Sequence, residues 1–415
     1  MRHRTCVRFG PCGLALASSP LIICGVDSVD KNSARCPLRG HVALNAFLLS
    51  PRAGYRNAGV SQYIQALLRT LPAARHDLQL SAYIGAGVAG DFPGWQVRRS
   101  RLPGDRPPLR ILWEQLLQPA ALRRAGVDLV HAPVNVGPLV RACPMVVTVH
   151  DLSFLLYPET FQPAQRLYQR TLARRTAQRA ERVIAVSEST RRDLVRHFGV
   201  PAERITVVPN GVDAAFRPLP AAEVAAFRRE RGLPERFLLC VATLEPRKNL
   251  PRLLEAVARV PEAPLLVLCG GKGWYYDTIF ATIERLGLQR RVHLPGFIPA
   301  AELPLWYNAA TWFVYPSLYE GFGLPALQAL ACGTPAIVSH ASSLPEVVGD
   351  AAILVDPLDV EAMAAALAQA LPDGALAGSL REAGLARAAQ FPWSRTAEET
   401  VAVYRAVLSR EVGRA

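Results

Sequence analysis

Short apolar runs alternate with helical patterns along most of this chain, and that alternation restricts the fold more than any other feature. In the second half the runs 237–243, 265–270, 292–297, 312–317 and 335–339 are separated by segments of helical spacing. In the first half Val42-Ala-Leu-Asn45, Asp128-Leu-Val-His131, Pro144-Met-Val-Val-Thr-Val-His150 and Arg182-Val-Ile-Ala-Val-Ser187 have the same form. Strands that are apolar on both faces belong in parallel sheets covered by crossover helices. Ser187 is placed to cap a helix over 188–198 that Gly199 can end, and Asn249 to cap one opening at Leu250. Asp359 to Leu371 is Ala-rich and reads as a further helix. The expected class is α/β with two Rossmann-like units.

Length supports two units, because 415 residues exceed what one hydrophobic core usually supports. A turn-rich stretch, Pro209-Asn-Gly-Val-Asp213 to Arg217-Pro-Leu-Pro220, divides the two series and reads as the hinge. The expected boundaries are 41–215 for the first unit and 216–393 for the second. A final helix, 394–415, is free to cross back to the first. Residues 1–40 put Arg2, Arg4 and Arg8 before an apolar run broken by Pro20. That imitates a signal peptide poorly, and a disordered or spurious extension is expected.

Composition removes several classes of function. Half the residues are hydrophobic and 20% are charged, as in ordinary soluble enzymes. No apolar run is long enough for a membrane-spanning helix. The net charge of +13 suits anionic partners, but with 7% aromatic residues and no zinc-finger spacing, nucleic acid is not expected. Of eight cysteines none forms a CxxC pair, and Cys143, Cys240, Cys269 and Cys332 sit in or beside apolar runs. Free buried thiols and a cytoplasmic, reducing location are expected.

The candidate chemistry lies where strands end. Ser317-Leu-Tyr-Glu-Gly-Phe-Gly-Leu-Pro-Ala-Leu-Gln328 joins a strand to a helix. Gly321 and Gly323 permit close backbone approach, and the helix opening near Leu324 points its positive end at hydroxyls or phosphate. Glu320 stands at that rim. Leu244-Glu-Pro-Arg-Lys-Asn249 follows a strand in the same way, placing Arg247 and Lys248 where two cations suit a diphosphate. His150 ends the run 144–149, where α/β folds bind ligands; His131 is a weaker candidate at a similar edge, and Asp151 can orient His150 or cap the next loop. Gly59 lies in the loop Asn57-Ala-Gly-Val-Ser-Gln-Tyr63.

These motifs resemble those of family 4 glycosyltransferases, which carry a carboxylate, Gly-Phe-Gly-Leu-Pro, and a second carboxylate eight positions after the first. The similarity extends to Ile184-Ala-Val-Ser-Glu-Ser189, Val208-Pro-Asn-Gly-Val-Asp213 and Ser343-Leu-Pro-Glu346. It implies a GT-B fold and a retaining hexosyltransferase, of mannose or glucose, that uses a nucleotide-diphosphate sugar, no cofactor and no metal. Glu320 would meet the transferred sugar, Arg247 and Lys248 would neutralise the leaving diphosphate, and His150 would approach the sugar from the opposite side. Gly59, Gly321, Phe322, Gly323 and Leu324 would hold the donor. Gln328 stands where the family has its ribose-binding carboxylate, and an amide can still hydrogen-bond a hydroxyl.

The resemblance also implies a glycan or lipid-linked acceptor bound by the first unit. Arg166, Arg170 and Arg174 line one face of a helix expected over 162–181, a surface suited to an anionic membrane or to plain solvation. Rival readings are a sugar-nucleotide epimerase or phosphorylase of the same fold, and a binding protein without turnover.

Overall fold

The computed structural model describes residues 40–49, 58–75, 77–104, 106–273 and 275–412. The expectation for the N-terminal extension lies outside these residues, as does Asn57. Seven strands form the first sheet: β1 (His41–Asn45), β2 (Gln79–Ile84), β3 (Gln96–Arg99), β4 (Leu129–Ala132), β5 (Met145–Val149), β6 (Arg182–Ala185) and β7 (Ile205–Val207). Their order is β3-β2-β1-β4-β5-β6-β7, parallel throughout. The second sheet holds β8 (Phe237–Val241), β9 (Leu265–Cys269), β10 (Val292–Gly296), β11 (Trp312–Tyr315), β12 (Ala336–Ser339) and β13 (Ile353–Val355). It runs β10-β9-β8-β11-β12-β13, again parallel.

The central strands are buried at almost every residue, as they must be when helices cover both faces. The strands the apolar pattern misses are β2, β3, β7 and β13. Of these, β3 is an edge whose Gln96, Arg98 and Arg99 are exposed, which guards it against stray pairing. Both sheets reverse their order of winding at one place, between β1 and β4 and between β8 and β11. Such a reversal splays the loops apart at the carboxyl ends of the strands and leaves a crevice there.

Two chain segments cross between the sheets side by side. The Val212 N–H donates to the Phe391 carbonyl at 2.8 Å, and a β carbon on Gly211 would lie 2.5 Å from the Trp393 nitrogen. Glycine is needed there because the segments touch. The last helix, Trp393–Val412, then packs on Ala58–Ala74 and buries Val401, Tyr404, Val407 and Leu408 with Val42, Leu44 and Leu67. Each such side chain contributes about 1.5–3 kcal/mol.

His131 belongs to this packing and not to the cleft. Its Nδ1 is 2.6 Å from the Tyr404 hydroxyl and its Nε2 is 2.8 Å from Thr148 Oγ1. Full burial pushes its pKa down to about 3, so it is a neutral core histidine. The weaker of the two histidine candidates is thereby corrected.

Candidate active site

The carboxyl edges of the two sheets face each other across a cleft of about 340 Å³. Gly59, Val60, Gln62, His150, Asp151, Val186 and Asn210 line it from the first sheet. Arg247, Lys248, Glu320, Gly321, Phe322, Gly323, Leu324 and Gln328 line it from the second. The structure therefore brings every candidate donor and catalytic residue to one cavity.

Charge in the cleft is organised around Glu320. Its Oε1 accepts from Lys248 Nζ at 2.5 Å, the Ser317 hydroxyl at 2.5 Å and the Tyr315 hydroxyl at 2.9 Å. Its Oε2 lies 3.3 Å from Arg247, which also pairs with Glu245 at 2.7 Å. Burial alone would raise the Glu320 pKa, but Lys248 and then Arg247 more than offset it and hold the carboxyl down to about 2. The side chains of Arg247 and Lys248 are 13% and 9% exposed, so they are not a solvated basic corner. Lys248 gives one N–H to Glu320 and one to Tyr315, which leaves its third donor for a ligand.

The backbone around Glu320 explains the glycines. Gly323 has φ +101°, a conformation that disfavours side chains, and hands over to the helix Leu324–Ala331. The Leu324 N–H opens that helix at the cleft wall, whereas Pro325 has no N–H and Ala326 and Leu327 donate theirs to the Gly323 carbonyl at 3.0 and 3.2 Å. Phe322 is buried and packs edge-on against Phe391, 6.0 Å between ring centres. At Gly59, in contrast, a β carbon would meet nothing within 4 Å, so sterics do not demand glycine there.

Gln328 is buried at the cleft wall, with its Oε1 accepting from the Tyr307 hydroxyl at 3.2 Å. Its amide N–H groups are thus the part left to meet a ligand. Asn249 does not cap the helix Leu250–Ala258 through its side chain, as its position suggested. It adopts φ +58°, and its Nδ2 donates to the Pro316 carbonyl at 3.1 Å and to Pro357 at 2.5 Å, tying this turn to its neighbours.

His150 Nε2 is 2.8 Å from the Pro133 carbonyl. A carbonyl only accepts, so Nε2 carries the proton and Nδ1 the lone pair. Burial lowers the His150 pKa, with the Pro133 carbonyl and Asp151 pulling the other way. Asp151 accepts from the N–H of Ser153 at 2.9 Å and its hydroxyl at 2.6 Å, so it fixes the next turn.

Sequence reasoning missed Asn210 as a lining residue. It is 3% exposed and its Oδ1 has no hydrogen-bond partner, a costly state for a buried acceptor unless a ligand completes it. Its place beside a hinge glycine had marked it only as a turn residue.

Two Rossmann-like parallel sheets whose carboxyl edges meet at a cleft make a GT-B fold. Residues 57–216 match the family described as Glycosyltransferase Family 4, and residues 224–387 match Glycosyl transferases group 1. The chain belongs to glycosyltransferase family 4 and is an enzyme of that family. It is 33% identical over 372 residues to O-antigen chain mannosyltransferase B of Escherichia coli, covering 85% of this chain and 97% of that one. Among solved structures it resembles sucrose-phosphate synthase of Thermosynechococcus elongatus, with a TM-score of 0.72, 25% identity, and coverage of 90% and 100%. The fold is shared with HepE of Anabaena in complex with UDP-glucose, with a TM-score of 0.65, 22% identity, and coverage of 89% and 99%.

Proposed function

We propose that this enzyme transfers mannose, with retention and without a metal ion, from a nucleotide-diphosphate sugar to a hydroxyl of a growing glycan or lipid-linked saccharide. The observation that carries the reading is the buried cluster of Arg247, Lys248 and Glu320 beside the opening of the helix Leu324–Ala331, with His150 across the cleft. The name of the E. coli relative favours mannose over glucose, and the UDP-glucose held by HepE favours a nucleotide-sugar donor.

In this reading the acceptor oxygen attacks the anomeric carbon as the bond to the diphosphate breaks, and the acceptor proton passes to the departing phosphate. Arg247, Lys248 and the Leu324 N–H oppose the charge growing on that phosphate, the role a metal plays elsewhere. Glu320 Oε2 and Asn210 Oδ1 accept from sugar hydroxyls, and the Gln328 amide donates to the ribose.

The acceptor side supports a peripheral, cytoplasmic-face contact with anionic membrane. The helix Pro163–Arg179 carries no acidic residue, and its Arg166, Arg170, Arg174 and Leu167 are exposed. Arg170 and Arg174 border a second cavity with His197, Leu155 and Leu156, a pairing of cation with apolar surface that suits phosphate headgroups. Among the described residues no helix is long and apolar enough to cross a membrane.

Incubation with GDP-mannose or UDP-glucose, a glycan acceptor and excess chelator tests the reading. Mannosyl transfer is expected from GDP-mannose; strict dependence on added magnesium or manganese would overturn the metal-free mechanism. Interconversion of donors without acceptor would identify an epimerase instead. Arg247→Ala and Lys248→Ala should each weaken nucleoside-diphosphate binding by about 1.5–3 kcal/mol, the worth of a charge-assisted contact.

A further inference from the structure

The stretches Ile184-Ala-Val-Ser-Glu-Ser189 and Ser343-Leu-Pro-Glu346 lie on different sheets, and neither carries a charged group of the cleft. The structure joins them. Glu346 Oε2 accepts from the Glu188 N–H at 2.8 Å and Oε1 from the Ser189 N–H at 2.8 Å. These N–H groups open the helix Glu188–Asp193, where no carbonyl of the helix can reach them and negative charge is favoured. Two charge-assisted bonds to one carboxylate fix direction as well as distance.

Both ends of this contact lead back to the cleft. On the second sheet, Ser342 Oγ accepts from the Glu320 N–H at 2.8 Å and the Ser343 hydroxyl donates to the Glu320 carbonyl at 2.9 Å. The helix Leu344–Val348 follows at once, braced by Arg387 on the carbonyls of Glu346 at 2.6 Å and Val347 at 2.9 Å. On the first sheet, the Thr190 hydroxyl lies 3.3 Å from both the His150 and the Gly321 carbonyl oxygens. A closed ring therefore runs from Glu320 through Ser342, Ser343, Glu346, Ser189 and Thr190 to His150.

We propose that Glu346 is a positioning residue for sugar transfer: by docking on the Glu188–Asp193 helix it sets the spacing between His150 and Glu320. It takes no part in holding the nucleotide, since Arg247, Lys248, Glu320 and Gln328 all hang on the second sheet and Glu346 does not line the cleft. The kinetic part rests on the function proposed above, whereas the docking contact stands apart from it.

The experiment compares Glu346→Gln and Glu346→Ala with the parent enzyme. It reads kcat, the Kd for nucleoside diphosphate, thermal midpoint and amide hydrogen exchange at Glu188 and Ser189. Gln keeps one acceptor, so kcat should fall on the order of tenfold in Glu346→Gln and further in Glu346→Ala, as hydrogen bonds to a charged group are lost. Nucleotide Kd should stay within about twofold, while exchange at the two amides rises in both variants. Unchanged kcat in both variants would overturn the proposal. So would nucleotide affinity and thermal midpoint falling in step with kcat, because Glu346 would then merely hold the fold together. If the parent enzyme transfers sugar from no donor, the proposed function fails, and unchanged exchange at Glu188 and Ser189 would overturn the docking contact by itself.

Discussion

Gly321 passes so close to His150 that a β carbon on it would lie 1.8 Å from the His150 carbonyl oxygen. The contact joins the glycine-bearing loop after β11 on the second sheet to the end of β5 on the first, and backbone cannot yield as a side-chain tip can. Gly321→Ala should therefore part the two edges while leaving each sheet folded. Displacement of reacting groups by about 1 Å can cost about a hundredfold in rate. Turnover is expected to fall by that order with a thermal midpoint near the parent's. Full turnover in steady-state assays would show that the edges do not need this approach.

Glu320 makes stability depend on acid. Its folded pKa, about 2, is depressed below the unfolded carboxylate value, so its contribution is present above about 4.3 and is lost as pH falls toward the folded value. Glu320→Gln lacks that titration. The parent's stability should fall relative to the variant's by up to about 3 kcal/mol across this window, since each tenfold difference in proton affinity between the folded and unfolded states is worth about 1.4 kcal/mol. Urea midpoints at closely spaced pH values from 6 downward would check the slope, and parallel curves would refute it.

Gln328 and Tyr307 separate ligand contact from packing. Gln328→Leu should weaken nucleotide binding by about 1–3 kcal/mol, whereas Gln328→Glu should preserve or tighten it. Tyr307→Phe removes the bond to Oε1 and should leave nucleotide affinity unchanged while lowering stability. Equal affinities in all four proteins, measured by calorimetry, would mean that this wall does not meet the ribose.

On the acceptor side, Arg170 and Arg174 have no ion-pair partner among the described residues, unlike Arg69 and Arg141, which pair with Asp213 and Glu181. Arg170→Glu with Arg174→Glu should abolish co-sedimentation with phosphatidylglycerol vesicles and leave nucleotide binding intact. Retained sedimentation in moderate salt would place any membrane contact elsewhere, because each basic residue near an anionic surface is worth about 1 kcal/mol.

The alternation of apolar runs and the glycine-bearing motifs at their ends were enough to determine two parallel sheets and most of the charged side chains that gather at their facing edges, though not Asn210. Local chemistry decides such features: a strand buried on both faces must be apolar along its length, and a chain turning from strand into helix near a ligand needs glycine. The short strands β3, β7 and β13 left a weaker pattern because few of their residues are buried, and β2, though buried, carries Gln79 and Ser81 in place of a continuous apolar run. Other features belong to the tertiary structure alone. His131 looked like a site histidine until the last helix laid Tyr404 on it. Asn249 looked like a helix cap until two distant carbonyls claimed its amide. Glu346 meets Ser189 across 157 positions of sequence. No local pattern of sequence encodes such partners, since what pairs a buried polar group is whichever donor or acceptor the packed sheets bring within about 3 Å of it.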